Sequence, residues 1–275
     1  MNKYQNIVDE VKEFGIAKSH ISDLLDSDGI ELFNDVVDYY NEFLSAPHIV
    51  ERCNRIASGN PIQDRNKWYE VTHYEFLNRP LNLDDSIVKL YMQDTFIDIA
   101  EMFYGELPRV RNILTWVHPM NAIQSERNSQ RWHRDQEDFE IFKVFINFSD
   151  IGVKNGPTQF IKETQHGGRY GDITNNMNGG STSDLKYNVP ESSIVDISGP
   201  AGTIHFINTN GVHKGGLVQE GVRCLTQANY LKPSAPAIQN NVLGTFDCYP
   251  KIGNYADVNS DTYKSLSDRQ LHLIS

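Results

Sequence analysis

The chain has 275 residues, room for one large domain or two small ones, and 36 acidic side chains against 25 basic ones give it a formal charge of −11. That balance disfavours nucleic acid and strongly anionic ligands, because no Lys/Arg cluster offsets it locally. No run of eighteen apolar residues spans a membrane, MNKYQNIVDEVKEFG lacks the apolar stretch of a secretory signal, and the three scattered cysteines (Cys53, Cys224, Cys248) suit a reducing compartment, so a cytoplasmic location is expected.

The first hundred residues read as largely helical. GIELFNDVVDYYNEFL (29–44) carries apolar residues at helical spacing, with Asp28 as candidate N-cap. DDSIVKLYMQDTFIDIAEMFYG (84–105) reads as one longer helix stopping at Gly105, ahead of Pro108. From residue 109 the pattern changes. RVRNILTWVHP, EIFKVFINFSD, SSIVDIS, GTIHFIN and GVRCLTQANYLK are short, rich in β-branched and aromatic residues, and bounded by Gly, Pro, Asn and Asp. Successive strands without intervening helices predict a sandwich or jelly roll. The Gly/Asn/Ser/Thr-rich segment 165–190 is too long for an ordinary connection and reads as a lid or a disordered segment. The residues after 232, with Pro233, Pro236 and Pro250, read as an irregular tail.

The chemistry begins at QRWHRDQEDF (130–139). In an extended chain His133 and Asp135 project to one face, with Trp132 and Arg134 on the other. Two histidines and a carboxylate on one face of an ion, with positions left open, form the ligand set of non-haem Fe(II) oxygenases. Two late histidines compete for the third place. His205 lies inside GTIHFIN, where a core role is the plainer reading. His213 lies in NTNGVHKGG at a strand end, and Arg223 follows it by ten residues. An arginine inside a half-apolar strand is costly unless it meets a carboxylate, and a dicarboxylate cosubstrate would engage it bidentately. The rival dyad His73-x-Glu75 has no such downstream partner and reads as structural.

The order His-x-Asp, strand, NGPT turn, histidine near GG, then distal His and Arg, spread over roughly 109–232, resembles the phytanoyl-CoA dioxygenase-like family of Fe(II)/2-oxoglutarate oxygenases. The resemblance implies a mainly β protein with a helical N-terminal part and a double-stranded β-helix (jelly roll, cupin-like) core. It would be a single domain over 1–275: helical 1–108, β-helix core 109–232 and tail 233–275. It also implies iron on His133, Asp135 and His213, and 2-oxoglutarate held through Arg223. Gln130, Asn121 and Thr158 are expected as further cosubstrate contacts. Two departures touch the cosubstrate site: relatives often carry serine where Gly215 stands, and ETQH, with His166, replaces the frequent GSH.

The implied function is O2-dependent hydroxylation, desaturation or cyclisation of a small metabolite, releasing succinate and CO2. Neither nucleic acid nor membrane is expected as a partner, and the sequence is silent on oligomeric state. Aromatics such as Trp68, Tyr69, Tyr74 and Tyr170 are candidate pocket walls, although ordinary packing explains them as well. The alternatives are a metal-dependent cupin-type isomerase or epimerase, and a non-catalytic ligand-binding jelly roll.

Overall fold

A computed structural model describes residues 3–59, 69–174, 181–182, 188–239 and 257–275. Helix α1 (Gln5–Phe14) stops at Gly15, whose φ of 81° lets its N–H return to the Val11 carbonyl. A side chain at Gly15 would also collide with Phe160 and Gln165, at 2.7 and 2.6 Å from a Cβ. The chain then enters β1 (Ile16–His20), a strand inside the part read as helical. Five residues without clean alternation give no local signal. The strand exists because it pairs with a distant one.

Three helices follow, α2 (Ile21–Leu24), α3 (Ser27–Ser45) and α4 (Pro47–Ala57). The cap of α3 is Asp26 rather than Asp28: its carboxylate accepts the Gly29 N–H at 3.0 Å. The α3 stripe Phe33, Val36, Tyr40 and Phe43 is buried, and the Tyr40 hydroxyl donates to the Leu225 carbonyl at 2.8 Å. After β2 (Val71–Thr72) and α5 (His73–Leu77), the expected 84–105 helix is broken into α6 (Ser86–Tyr91) and α7 (Asp94–Tyr104). The carbonyls at the break bond to tertiary donors, Tyr91 to the Tyr230 hydroxyl and Met92 to the Gln270 amide. Gly105 ends α7 in the left-handed region as expected.

The remaining strands are β3 (Arg109–Pro119), β4 (Phe142–Asn147), β5 (Thr158–Ile161), β6 (Ile194–Ile197), β7 (Thr203–Asn208), β8 (His213–Lys214) and β9 (Val222–Leu231). They form an antiparallel six-stranded sheet, β1-β7-β4-β9-β3-β2, facing a three-stranded one, β6-β5-β8. Alternation divides the large sheet's side chains. Val144, Ile146, Ala228, Phe206, Ile113 and Val117 pack outward in the core shared with the helices. Phe145, Leu225 and Ile207 point inward onto Phe160 and Ile197 of the small sheet. This is the expected jelly roll.

The tail is more regular than expected. After α8 (Pro236–Gln239) and α9 (Asp261–Lys264), helix α10 (Asp268–Ile274) carries a Ser267/Gln270 capping box, and Leu273 is fully buried. Pro250 lies outside the described residues.

Candidate active site

Around the dyad the backbone is extended but belongs to no long strand. His133 exchanges both backbone hydrogen bonds with His213, each 2.9 Å, and the Asp135 N–H donates to the Thr209 carbonyl at 3.0 Å. This bridge sets the two imidazoles side by side, with ring centroids 4.3 Å apart. Trp132 and Arg134 turn to the other side as expected. Trp132 packs with Ile161 and Val212, and Arg134 is buried against Asn210, Gly171 and Thr174.

Each ring is oriented by its own backbone. His133 Nδ1–H donates to the Arg131 carbonyl at 2.7 Å and His213 Nδ1–H to the Gly211 carbonyl at 2.9 Å, leaving both Nε2 lone pairs free. These Nε2 atoms face the Asp135 carboxylate, at 3.8 Å from His133 and 3.7 Å from His213. An ion with bonds of about 2.1 Å bridges donors up to roughly 4.2 Å apart, so each imidazole lies within one ion's reach of the carboxylate. Among the described residues these three form the candidate metal group, with all ligand atoms within 4.8 Å of one another.

The protonation states suit the same use. Burial, reinforced by neighbouring His133, pushes the His213 pKa down to about 4, so the ring is neutral at physiological pH. Burial alone would raise Asp135, but the Lys143 ammonium and the two imidazoles outweigh it and hold the carboxyl well below the usual range. Lys143 Nζ lies 2.6 Å from Asp135 Oδ2 and 3.5 Å from Glu137 Oε1. This buried lysine therefore fixes Oδ2, the oxygen that His213 Nε2 also faces, and leaves Oδ1 toward His133.

A cavity of about 440 Å³ runs past the triad, and Arg223, Thr158, Gly215, Trp116 and Phe145 are among the residues lining it. Arg223 is 3% exposed. Its Nε has no hydrogen-bond partner among the described residues, and its best contact is a long one, 3.5 Å, to the Gly216 carbonyl. Burial pushes its pKa down from 12.5 to about 10, against the pull of Glu70 and Tyr69. His118, opposite Arg223 in the sheet, pairs instead with Glu70 at 3.6 Å. Gly215 is not a steric necessity, since a Cβ there meets nothing closer than 3.5 Å.

Not every expected residue arrives. Asn121 does not line the cavity: its side-chain oxygen closes a turn on the Ile123 N–H at 2.9 Å. Gln130 sits just behind Gly215, with Oε1 turned to the Arg127 N–H at 3.3 Å. His205 is buried in β7 opposite Phe145 and stands outside the triad. His73 is buried, with Nδ1 at 3.4 Å from the Thr115 carbonyl, while Glu75 pairs with Arg52, a structural arrangement. His166 packs at a tilt against Phe139, with ring centroids 5.1 Å apart, and does not line the cavity. Of the aromatic candidates, Tyr69 bonds Ser129 at the cavity edge, Tyr74 is exposed, and Trp68 lies outside the described residues. Residues 165–174 are tied down, through Gln165 to the Lys12 and Glu13 carbonyls and through Thr174 to Arg134; residues 175–180 and 183–187 lie outside the described residues. Lys143, Glu137, Arg111 and Asn112 line the cavity unforeseen. The signal that singled out Arg223, a charge inside an apolar strand, was equally present for Lys143 in EIFKVFINFSD.

Two facing sheets with an open His-Asp-His group at one cavity define a jelly-roll metalloenzyme of the non-haem iron oxygenase class. The chain belongs to the phytanoyl-CoA dioxygenase (PhyH) family, whose model matches residues 52–219, and is thus a member of an iron- and 2-oxoglutarate-dependent enzyme family. No curated protein matches it. Among solved structures it is similar to HygX from Streptomyces hygroscopicus, with nickel, 2-oxoglutarate and hygromycin B bound (11% identity, 84% of this chain and 88% of that chain, TM-score 0.51). It is also similar to EctD from S. alaskensis with 2-oxoglutarate and 5-hydroxyectoine (12%, 86% and 77%, 0.50). A third is the carbocyclase SnoK from nogalamycin biosynthesis (14%, 88% and 90%, 0.50). At these identities the likeness is one of fold. Among the described residues no helix is long and apolar enough to cross a membrane.

Proposed function

We propose that the protein is an Fe(II)/2-oxoglutarate-dependent dioxygenase acting on a small metabolite, with hydroxylation as the default outcome and desaturation or ring closure open to the same site. One observation carries this reading: the triad shares its cavity with a buried arginine that lacks a carboxylate partner among the described residues. A buried cation of this kind is stabilised when a carboxylate reaches it, and a dicarboxylate can do so while its other end stays at the triad. An isomerase that works without 2-oxoglutarate has no use for that anchor, whereas a 2-oxoglutarate-dependent epimerase, such as the similar solved structure of SnoN with Fe3+ and alpha ketoglutarate, would share it.

In this reading His133, Asp135 and His213 hold iron and Arg223 binds the distal carboxylate, with Thr158 on the adjoining wall. Iron and 2-oxoglutarate together supply an O2-derived oxidant for unactivated C–H bonds, with 2-oxoglutarate leaving as succinate and CO2. The chain's share is positioning. The Arg131 and Gly211 carbonyls keep the imidazole Nε2 atoms aimed inward, and Lys143 holds Asp135 ionised and in place. Trp116, Phe145 and Leu225 make the cavity wall partly apolar and help exclude water. A cavity of about 440 Å³ suits a small metabolite. The acidic sequence carries no clear Lys/Arg cluster for the phosphates of a coenzyme A thioester. The test is succinate formation from 2-oxoglutarate by iron-loaded protein in air. Succinate is expected from the native chain and not from Asp135→Ala; equal formation by both would remove the triad from the chemistry.

A further inference from the structure

Beyond the triad, away from Arg223, the cavity ends in a polar row. Register places Asn112 and Lys143 on either side of Asn229. Lys143 is engaged by Asp135 and Glu137, and Glu137 also accepts from Asn229 Nδ2 at 3.3 Å. Arg111 differs from its neighbours. Strand β3 pairs Val110 with Tyr230 and Asn112 with Asn229, so Arg111 is the extra residue of a β-bulge. Regular alternation, with Asn112, Leu114, Trp116 and His118 facing inward, would send Arg111 outward with Ile113 into the apolar core. The bulge turns it into the cavity wall instead. It is half-buried and makes no ion pair or hydrogen bond among the described residues. Asn112, 4% exposed, adds an independent signal: its side-chain oxygen has no donor among the described residues. The Gln227 amide, also buried on the cavity wall, makes no hydrogen bond there either.

An unpaired guanidinium beside an orphan acceptor asks for an anion and a donor on one molecule. Charge narrows the class. Lys143 is already taken up by Asp135 and Glu137, so Arg111 is the basic group left without a counter-ion at this end among the described residues, and a single carboxylate matches it, whereas a phosphate dianion would leave a surplus. We propose that this end of the cavity is the substrate-recognition subsite and that the substrate is a small amino acid, its carboxylate held by Arg111 and its ammonium donating to Asn112 Oδ1. The proposal rests on the dioxygenase reading for what happens next, but not for binding itself.

The test is calorimetric titration under nitrogen of iron-loaded protein, with and without saturating 2-oxoglutarate. The probes are the twenty L-α-amino acids, their carboxamides and inorganic phosphate. At least one amino acid should bind, its carboxamide at least tenfold more weakly, and phosphate not at all. Arg111→Gln should weaken that amino acid at least tenfold and Arg111→Lys less, while 2-oxoglutarate affinity and melting temperature stay at native values. Binding of no amino acid, equal binding of acid and carboxamide, preference for phosphate, or unchanged binding to Arg111→Gln would overturn the proposal. Failure of 2-oxoglutarate to bind the native protein would instead count against the dioxygenase reading, and the amino-acid titrations without it would still decide the subsite.

Discussion

Replacing Arg223 with methionine separates a ligand anchor from a structural charge. The guanidinium is 3% exposed, and burial lowers its pKa from 12.5 to about 10. That difference of about 2.5 units corresponds to roughly 3 kcal/mol by which the fold disfavours the charged form. The sign follows from the direction. A base whose pKa falls on folding destabilises the fold at every pH below the folded value, here about 10, so the penalty is in force at neutral pH. Methionine of similar length removes it, and the ligand-free variant should melt no lower than the native protein. Cosubstrate binding should move the other way. Loss of one partner of a buried charge pair costs about 2–5 kcal/mol, roughly 30- to 5,000-fold in Kd. The assay pairs thermal melts of ligand-free protein with 2-oxoglutarate titration of the iron-loaded protein under nitrogen. A variant that melts well below the native chain, or binds 2-oxoglutarate as tightly, would refute the anchor role.

Asp135→Asn keeps the shape and a donor oxygen but drops the charge, so iron content should fall sharply while circular dichroism stays native; full iron occupancy would show that the carboxylate is no ligand. Lys143→Met leaves Asp135 without its 2.6 Å partner, and iron affinity should drop while 2-oxoglutarate affinity, tied to Arg223, changes less; unaltered iron affinity would deny Lys143 a positioning role. Burial pushes His73 to about 4 and, with Lys18 adding to the effect, His205 to about 3. Each takes up its proton near pH 6.5 only when unfolded, so stability present above pH 6.5 is lost as pH falls toward 4, by up to about 1.4 kcal/mol per pH unit for each histidine. Urea melts at pH 7.0 and 5.0 should show a smaller acid loss for His205→Gln than for the native chain, and an equal loss would contradict this. The amides of Gly168, Tyr170, Gly171 and Thr174 should exchange slowly, because each donates to a backbone carbonyl, whereas exchange at the rate of a free loop would show those bonds do not persist.

What the sequence made legible divides along local and non-local physics. Strands β3, β7 and β9 were readable because their alternation and Gly/Pro/Asn boundaries lie within ten residues or so. The triad was readable because His-x-Asp carries its geometry in two residues, and because Arg223 marked which late histidine to join. Strand β1 and the break between α6 and α7 were not, since the β7 edge, the Tyr230 hydroxyl and the Gln270 amide that create them are far away in the chain. The far end of the cavity escaped for a third reason. A one-residue bulge reverses the side on which Arg111 lies, and no pattern in RVRNILTWVHP announces it. Asn121 and Gln130, polar residues on the approach to the dyad, were instead claimed by local turns.

The most direct test of the central claim is an anaerobic absorption spectrum of the purified protein with Fe(II) and 2-oxoglutarate. Chelation of the ferrous ion by the keto acid gives a visible metal-to-ligand charge-transfer band. The band should appear with the native chain, saturate at one iron per protein, be lost in Asp135→Ala, and require far more 2-oxoglutarate in Arg223→Met. A native protein that binds iron but shows no band at any 2-oxoglutarate concentration would contradict the account.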